Sequence, residues 1–263
     1  MTETRKFAIS IIKRSGRYLL DNFRYDSNLL TKRSLAKEIT TKYDKRSNKI
    51  IIYAISRNFP THNVVSEESN FIDNKSEFTW IIDPLDGSSN FANGNPFFSI
   101  SIALMKKNEL ILGVIFAPFL DELYVAEKNK GAYLNGKKIH VSKIDNLKNS
   151  YFLSCEGGDK SNKRIAEINH MFHGSLRDLR KLGSAALESA HVASGKAESY
   201  IVTKINSWDI AAGVLLVKEA GGNVSDFKGE EWTPNKYDLV FSNGKLHQKI
   251  LSILKKHMKN KKK

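Results

Sequence analysis

Apolar residues recur every three or four positions near the start of the chain, the spacing that places them on one face of a helix. This pattern predicts an amphipathic helix from residue 4 to about residue 23. Residues 39–41 are predicted to form a short extended piece, after which Asp44 caps a second helix from Lys45 to about Arg57. The apolar pair at 64–65 predicts a short strand.

The stretch WIIDPLDGSSNFANGNPFFSISIAL, from Trp80 to Leu104, combines several patterns. Its first residues predict a buried strand that ends at Ile82, before a turn that carries two acids. Apolar and small residues alternate from 98 to 104, which is typical of a half-buried strand. Two more strands and a type I′ hairpin turn complete a predicted antiparallel meander, at 111–117, 122–127 and Asn135-Gly136.

The pattern changes near residue 150, where short strands begin to alternate with helices. The predicted strands lie at 151–155, 178–182, 198–203, 224–227 and 239–241. The predicted helices lie at about 160–173, 185–194, 207–220 and 245–257. We therefore expect one compact unit with two halves, an α+β half at 1–150 and an α/β half at 151–263.

Length and composition exclude several classes of protein. With 263 residues and a hydrophobic content of 41%, the chain can bury a substantial core. No apolar run approaches the roughly 18 residues that a membrane-spanning helix needs, and charged residues interrupt the apolar ones near the N-terminus, unlike in a signal peptide. The single cysteine, Cys155, excludes an internal disulfide and fits a reducing compartment. We therefore expect a cytoplasmic protein.

The formal net charge of +14 is partly due to a lysine-rich C-terminal tail. The six tail lysines are Lys255, Lys256, Lys259, Lys261, Lys262 and Lys263, and the other residues carry +8 without them. We expect this tail to be solvated and disordered. The remaining positive charge can steer anionic substrates or attract nucleic acid weakly, although the sequence shows no basic stripe interleaved with aromatic residues.

Two acids three residues apart, Asp83 and Asp86, follow the predicted strand and are held by Pro84, which fixes φ and lacks an N–H donor. Such carboxylates suit Mg²⁺, which prefers oxygen ligands and shares them with substrate phosphates. The backbone amides of the following residues, 87–89, are placed to meet phosphate oxygens. An ordinary Asp- and Ser-containing turn also explains two such acids, but the nine-residue run DPLDGSSNF favours a functional site.

This run resembles the first signature of the inositol monophosphatase family of Mg²⁺-dependent, Li⁺-sensitive phosphatases. The sequence WDIAAG at 208–213, followed by Gly221-Gly222, resembles the second signature. The resemblance implies a layered αβαβα sandwich and a homodimer. It also implies a phosphomonoesterase that hydrolyses inositol 1-phosphate, or a similar small polyol or sugar phosphate, with water activated by two to three Mg²⁺ ions.

The resemblance also assigns roles to single residues. Two Mg²⁺ ions are expected, one on Glu67, Asp83 and the Leu85 carbonyl, the other on Asp83, Asp86 and Asp209; a third, weaker ion sits on Glu67. Ser88, which stands where the family usually has Thr, is expected to bond to Asp44 and to position and deprotonate the water, with Thr41 beside them. The amides of Gly87, Ser88 and Ser89 are expected to hold the phosphate. From the residues alone, a helix cap for Asp44, a solvated loop for Glu67 and a helix start for Asp209 remain possible.

The leaving-group pocket is expected to include Asp86 and the turn Gly183-Ser184-Ala185. Val202 stands where animal members carry a Glu that binds inositol hydroxyls, and an apolar side chain cannot accept those hydrogen bonds. Fructose-1,6-bisphosphatase-like and nucleotide 3′-phosphatase activities therefore remain alternatives. Bacterial members also include extragenic suppressors associated with transcription and ribosomal RNA synthesis, so a binding protein with a weak RNA or transcription-factor association is an alternative of another class.

Overall fold

The computed structural model describes residues 2–23, 33–157 and 163–260, with the backbone alone at 33–41 and 257–260. The helices of this described part are α1 Glu3–Asp21, α2 Arg33–Asn58, α3 Ser88–Ala92, α4 Lys163–Phe172, α5 Ala185–Ala193, α6 Ser207–Glu219 and α7 His247–Asn260. Its strands are β1 Asn63–Ser66, β2 Ser69–Ile72, β3 Phe78–Asp86, β4 Ser99–Lys106, β5 Glu109–Ala117, β6 Glu122–Glu127, β7 Ala132–Leu134, β8 Lys137–Ile139, β9 Tyr151–Glu156, β10 Asp178–Arg180, β11 Ser199–Thr203, β12 Asn223–Asp226 and β13 Leu239–Ser242.

The first sheet has the strand order β2-β1-β3-β4-β5-β6-β7-β8. From β3 to β8 every neighbouring pair is antiparallel, which confirms the predicted meander, and β1 lies parallel to β3. The hairpin between β7 and β8 turns at Asn135 and Gly136, whose φ values of 49° and 79° are the positive pair that a type I′ turn requires.

The second sheet has the order β10-β9-β11-β13-β12. Both neighbours of β9 run parallel to it, whereas β13 is antiparallel to β11 and β12. The strands and helices predicted beyond residue 150 are all present, with ends that differ by a few residues. The change of pattern near residue 150 thus falls between the two sheets.

Three apolar clusters lie between the layers of helices and sheets and confirm the αβαβα sandwich. One joins α1 and α2 to the first sheet, the second fills the space around α5 and α6 between the sheets, and the third joins the second sheet to α4 and α7. Strand β4 is therefore buried on both faces, whereas the sequence predicted a half-buried strand. Its small residues Ser99, Ser101 and Ala103 line one face, and small side chains let α5 and α6 approach it closely.

Helix α6 confirms that small residues permit close packing. A Cβ atom added at Gly213 would lie 1.8 Å from Ser189 Oγ of α5. Since no side chain fits there, the backbone of α6 at Gly213 packs directly against the Ser189 side chain of α5.

Two local predictions were wrong. Helix α2 is continuous through 39–44, so Asp44 lies inside the helix and is not its N-cap. The buried residues Asp44, Ser47, Ile51 and Ile55 recur at helical spacing, and their packing against the first sheet overrides the extended preference of the β-branched run before them. Strand β3 also runs past Ile82 to Asp86, and the exposed strand β2 was not predicted.

The C-terminal lysines differ in part from the prediction of a disordered tail. Helix α7 extends to Asn260, so that Lys255 and Lys256 are exposed helical residues, and Lys259 also belongs to the helix. Residues 261–263 lie outside the described part. None of the helices described combines the length and the apolar character that crossing a membrane requires.

Candidate active site

The end of β3 bends at a β-bulge that presents the first two acids. Asp83 pairs with Ser101 of β4 and Asp86 with Ser99, so that one strand advances by three residues while the other advances by two. An extra residue of this kind turns side chains towards a new direction. The Asp83 carboxylate accepts a hydrogen bond of 3.0 Å from Leu85 N, which fixes the bulge from within.

A chain of hydroxyl groups holds the bulge from the outside. Ser47 of α2 donates a hydrogen bond of 2.6 Å to the carbonyl of Pro84. Its Oγ lies 2.6 Å from the Oγ of Ser15 on α1, and both serines are buried. The position of Asp83 and Asp86 therefore depends on the packing of the first two helices.

Acids from three distant parts of the chain converge beside this bulge. One carboxylate oxygen each of Glu67, Asp83 and Asp209 lies within 4.8 Å of the others. Glu67 follows β1, which is parallel to β3, and Asp209 is in the first turn of α6. There its Oδ2 accepts a hydrogen bond of 3.0 Å from Asn206 N, a capping contact that orients the side chain.

Asp86 is turned towards the N-terminus of α5. Its Oδ2 accepts hydrogen bonds from the Ser184 hydroxyl, from Ser99 Oγ at 3.0 Å and from Ala186 N at 3.0 Å, while Oδ1 accepts one from Ala185 N at 3.0 Å. Since a carboxylate oxygen offers two lone pairs, Oδ1 retains the capacity for a further partner. Asp86 thus lies beside the three converging acids and not among them.

Burial and mutual repulsion raise the pKa values of these acids. Burial raises the pKa of Asp209 to about 8, and the charges of Asp86 and Glu67 add to this effect. Burial, with repulsion from Glu68 and Asp86, raises the pKa of Glu67 to about 7. The pKa of Asp83 is raised well above its ordinary value by burial and then by the charges of its neighbours. Full ionisation of this cluster therefore requires a compensating positive charge.

The chemistry of this donor set fits a hard divalent cation. Within the described residues, no Lys, Arg or His forms an ion pair with Glu67, Asp83, Asp86 or Asp209. The cluster therefore offers carboxylate oxygens whose charge no neighbouring side chain compensates, which is the arrangement that Mg²⁺ prefers.

Asp44 faces the same site from α2 but does not form the predicted contact. Burial and then the charges of Glu68 and Glu67 raise its pKa to about 8, and its buried Oδ1 has no hydrogen-bond partner. Asp44 and Ser88 are both described, yet no hydrogen bond joins them. The predicted Asp44–Ser88 bond is therefore absent from this structure. The side chain of Thr41 lies outside the described residues.

The residues predicted to hold phosphate start the short helix α3. Gly87 has a φ of 81°, and a Cβ atom there would lie 3.0 Å from the Phe97 carbonyl, so that only glycine fits both the backbone and the space. Ser88 is half-buried and Ser89 is exposed. The first backbone amides of a helix have no hydrogen-bond partner within the helix. In α3 these are the amides of residues 87–89, which were predicted to bind phosphate.

On the opposite side, Ser184 and Ala185 lie next to Asp86, as their hydrogen bonds show, and Gly183 precedes them in the same turn. Val202 does not fit the predicted pocket position. It lies in the centre of β11 with 0% of its surface exposed and packs in the middle core. An enclosed apolar side chain cannot touch a ligand, so the structure assigns Val202 to the core.

The sequence analysis missed several residues that shape the site. Ser47 lies three positions after Asp44, a helical spacing that the wrong helix start concealed. Ser99 was counted only as the polar side of a strand. Asn90 and Glu188 contact the same turn from different parts of the chain, and no local pattern indicates that contact.

Comparisons with known proteins agree with this fold. A model of the inositol monophosphatase family matches residues 1–259. A Thermotoga maritima protein named fructose-1,6-bisphosphatase/inositol-1-monophosphatase is 37% identical over 248 residues, 94% of each chain. Nus factor SuhB of Pasteurella multocida is 33% identical over 234 residues, 87% of each chain. The solved structure of a Thermotoga maritima IMPase matches with a TM-score of 0.86 and 32% identity, covering 98% of this chain and 99% of that one. The chain therefore belongs to the inositol monophosphatase family.

Proposed function

We propose that this protein is a Mg²⁺-dependent phosphomonoesterase that hydrolyses inositol 1-phosphate or a similar small polyol or sugar phosphate. The observation that carries the proposal is the approach of Glu67, Asp83 and Asp209 to within 4.8 Å of one another. Three mutually repelling acids, with no basic partner among the described residues, ionise together only when a cation compensates their charge.

Glu67, Asp83 and the Leu85 carbonyl would hold one Mg²⁺, and Asp83, Asp86 and Asp209 would hold a second. A third, weaker ion would bind at Glu67. The free lone-pair capacity of Asp86 Oδ1 supports its part in this set. Bound Mg²⁺ supplies Lewis-acid stabilisation of the phosphate charge and activates water for attack.

The chain's own groups orient the water and the phosphate. Asp44 takes the proton of the water, since its buried Oδ1 has no other partner and lies near the acids of the site. Ser88 holds the same water through its hydroxyl. The amides of Gly87, Ser88 and Ser89 bind phosphate oxygens and stabilise the charge that develops on them.

The alcohol part of the substrate lies against Gly183, Ser184 and Ala185. This turn presents backbone groups and small side chains, and Val202 behind it supplies no polar contact. Such a surface favours broad acceptance of polyol and sugar phosphates. The name of the Thermotoga maritima relative includes fructose-1,6-bisphosphatase. This name supports fructose 1,6-bisphosphate as a further substrate of the present chain.

A panel of phosphomonoesters tests the proposal. Inositol 1-phosphate, glycerol 2-phosphate, fructose 1,6-bisphosphate and adenosine 3′,5′-bisphosphate are incubated with the protein and Mg²⁺, with and without Li⁺ or EDTA. We expect Mg²⁺-dependent, Li⁺-sensitive release of phosphate from the first two or three compounds. The matched control is Asp73→Asn, which removes an exposed acid paired only with Lys75. Hydrolysis that survives EDTA and Asp83→Asn contradicts the metal-dependent mechanism.

A second function, association with RNA, is supported by a basic groove that the sequence analysis did not detect. This groove of about 690 Å³ is lined by Arg14 of α1, by Lys45, Arg46 and Lys49 of α2, by Tyr53, which is 62% exposed, and by one acid, Glu68. All four cations are exposed, and none forms an ion pair with another described residue. Exposed cations beside an aromatic ring suit single-stranded nucleic acid.

Fluorescence anisotropy with a single-stranded RNA oligonucleotide tests this second function. We expect Lys45→Glu/Lys49→Glu to weaken binding at low salt and to reduce its salt dependence, since fewer phosphates are neutralised. Lys255→Glu/Lys256→Glu, the same charge change on exposed residues of α7, is the control. Equal losses in the two variants assign the binding to net charge, and Asp83→Asn separates it from catalysis.

The homodimer and the cytoplasmic location stay predictions that rest on the family resemblance and the cysteine content. Multi-angle light scattering measures the mass of the protein in solution, and about twice the 29.7 kDa of one chain confirms the dimer.

A further inference from the structure

The side chains of Asn90 and Glu188 bind the backbone C=O and N–H of Leu182, in the turn beside the site. Asn90 Nδ2 donates hydrogen bonds to the carbonyls of Leu182 at 2.8 Å and of Phe97 at 2.7 Å. On the other side, Glu188 Oε1 accepts a hydrogen bond of 2.7 Å from Leu182 N. The turn is thus clamped between α3 of the first half and α5 of the second.

Burying the Glu188 carboxyl in the core costs stability, and local packing does not explain its presence there. Glu188 is 0% exposed, and its second oxygen has no hydrogen-bond partner. Burial, and to a smaller extent the nearby Glu188 carboxyl, raises the pKa of the Tyr200 hydroxyl and of the Cys155 thiol, so these groups lie close to Glu188. A buried carboxyl with one unsatisfied oxygen destabilises the core, and an apolar side chain would avoid this penalty. What Glu188 adds is the bond to the turn.

The position of this turn affects both sides of the site. Gly183 follows Leu182, and its carbonyl lies 3.2 Å from the point where a Cβ of Gly87 would be. The next residues, Ser184 and Ala185, hold the Asp86 carboxylate. A shift of the turn therefore moves the surface that meets the alcohol part of a substrate.

We propose that Glu188 and Asn90 are positioning residues that fix the Leu182–Gly183 turn and thereby set the affinity for polyol phosphates. The proposal rests on the phosphatase function above and adds a specificity determinant to it. Neither residue touches substrate; both act through the backbone of the turn.

The test compares KM and kcat for inositol 1-phosphate with those for p-nitrophenyl phosphate, whose leaving group carries no hydroxyls for the turn to bind. Glu188→Ala raises the KM for inositol 1-phosphate on the order of tenfold, the effect of losing one hydrogen bond that places a binding group. The KM for p-nitrophenyl phosphate changes much less. Glu188→Gln restores the wild-type ratio, since its amide oxygen still accepts from Leu182 N.

Glu198→Ala is the matched control. Glu198 is also buried, with 3% of its surface exposed, and its Oε2 accepts a hydrogen bond of 2.6 Å from Tyr151 N, away from the turn. Its removal lowers stability and leaves the KM ratio of the two substrates unchanged. A ratio that moves as much in Glu198→Ala as in Glu188→Ala overturns the proposal, because the effect is then general destabilisation.

Asn90→Ala keeps the proposal testable if Glu188→Ala does not fold. It releases the other side of the same turn, so we expect the same selective rise in KM, and the two substitutions combined give less than the product of their effects because they share one target. If neither variant changes the ratio in a protein whose wild type hydrolyses both compounds, the clamp has no role in specificity. A wild type that hydrolyses neither compound refutes the phosphatase function itself.

Discussion

Ala185 N donates a hydrogen bond of 3.0 Å to Asp86 Oδ1, which joins the start of α5 to the end of β3 across 99 residues. The open amides at the start of a helix favour an anion, so the bonds from α5 oppose the rise in the pKa of Asp86 that its burial causes. The two halves of the chain therefore meet at a carboxylate that faces the site.

Asp209→Asn separates the metal role of this acid from its role as a helix cap. The amide oxygen of Asn still accepts the bond from Asn206 N, so α6 keeps its start. We expect Mg²⁺-dependent hydrolysis to fall at least about 100-fold because a ligand charge is lost. Without metal at about pH 9, above the pKa of about 8 of Asp209, the variant melts at a higher temperature than the wild type, since one repelling charge is removed. Normal hydrolysis in the variant would refute the assignment of Asp209 to the second metal.

The metal-free protein is expected to become less stable as the pH rises, because of the buried acids of the site. Burial and repulsion raise the pKa of Asp44 and Asp209 to about 8 and that of Glu67 to about 7. The folded state therefore holds more protons than the unfolded state, whose acids titrate near about pH 4. The free energy of unfolding in EDTA then decreases as the pH rises from about 4 to about 8.

Mg²⁺ reverses this trend, because cation binding replaces the protons. Urea unfolding at about pH 5 and about pH 9 measures both slopes, with Mg²⁺ stabilising more at the higher pH. Asp209→Asn flattens the slope in EDTA. Stability that rises with pH in EDTA contradicts the raised pKa values.

Gly87→Ala and Gly136→Ala compare two glycines with nearly equal φ values, 81° and 79°. Both substitutions force alanine into the left-handed region, at a cost of about 1 kcal/mol. Only at Gly87 does the new Cβ meet backbone, the Phe97 carbonyl at 3.0 Å; at Gly136 nothing lies within 4 Å. We expect Gly87→Ala to lose more stability in urea unfolding and most of its activity. Equal losses would show that the space around Gly87 does not matter.

Val202→Glu asks whether this position contacts substrate. Because Val202 is enclosed in the middle core, an unpaired carboxylate there should reduce the free energy of unfolding by more than about 3 kcal/mol. Val202→Ala removes packing without adding charge and serves as the control in thermal denaturation. A stable Val202→Glu variant with a lower KM for inositol 1-phosphate would place this position in the pocket after all.

Much of the layered fold follows from local patterns. The meander and the alternation beyond residue 150 were predictable because each strand or helix carries its own periodicity and turn residues. The burial of β4 on both faces was not, since Ser99 and Ser101 are polar by type and only the neighbouring helices show that they face a core. Helix α2 likewise depends on packing that its β-branched run does not reveal.

Asp83, Asp86 and Asp209 were found because DPLDGSSNF and WDIAAG are compact motifs, whereas Asp44 and Glu67 were assigned only by the family resemblance. The partners that orient them were not, because their contacts cross long separations. Ser47 reaches the Pro84 carbonyl over 37 residues, and Ser184 reaches Asp86 over 98. Such contacts leave no periodic trace in a single sequence, so side-chain orientation and the absent Asp44–Ser88 bond required coordinates.

The hydroxyl chain from Ser15 through Ser47 to Pro84 has a consequence for how the protein is handled. Because the Ser47 proton is committed to the Pro84 carbonyl, Ser15 must supply the proton of the bond between the two serines. Helix α1 contributes no acid to the active site, but it stabilises the bulge through this hydrogen bond. An affinity tag or a truncation that unwinds its middle turn would loosen catalytic groups nearly seventy positions further along the polypeptide.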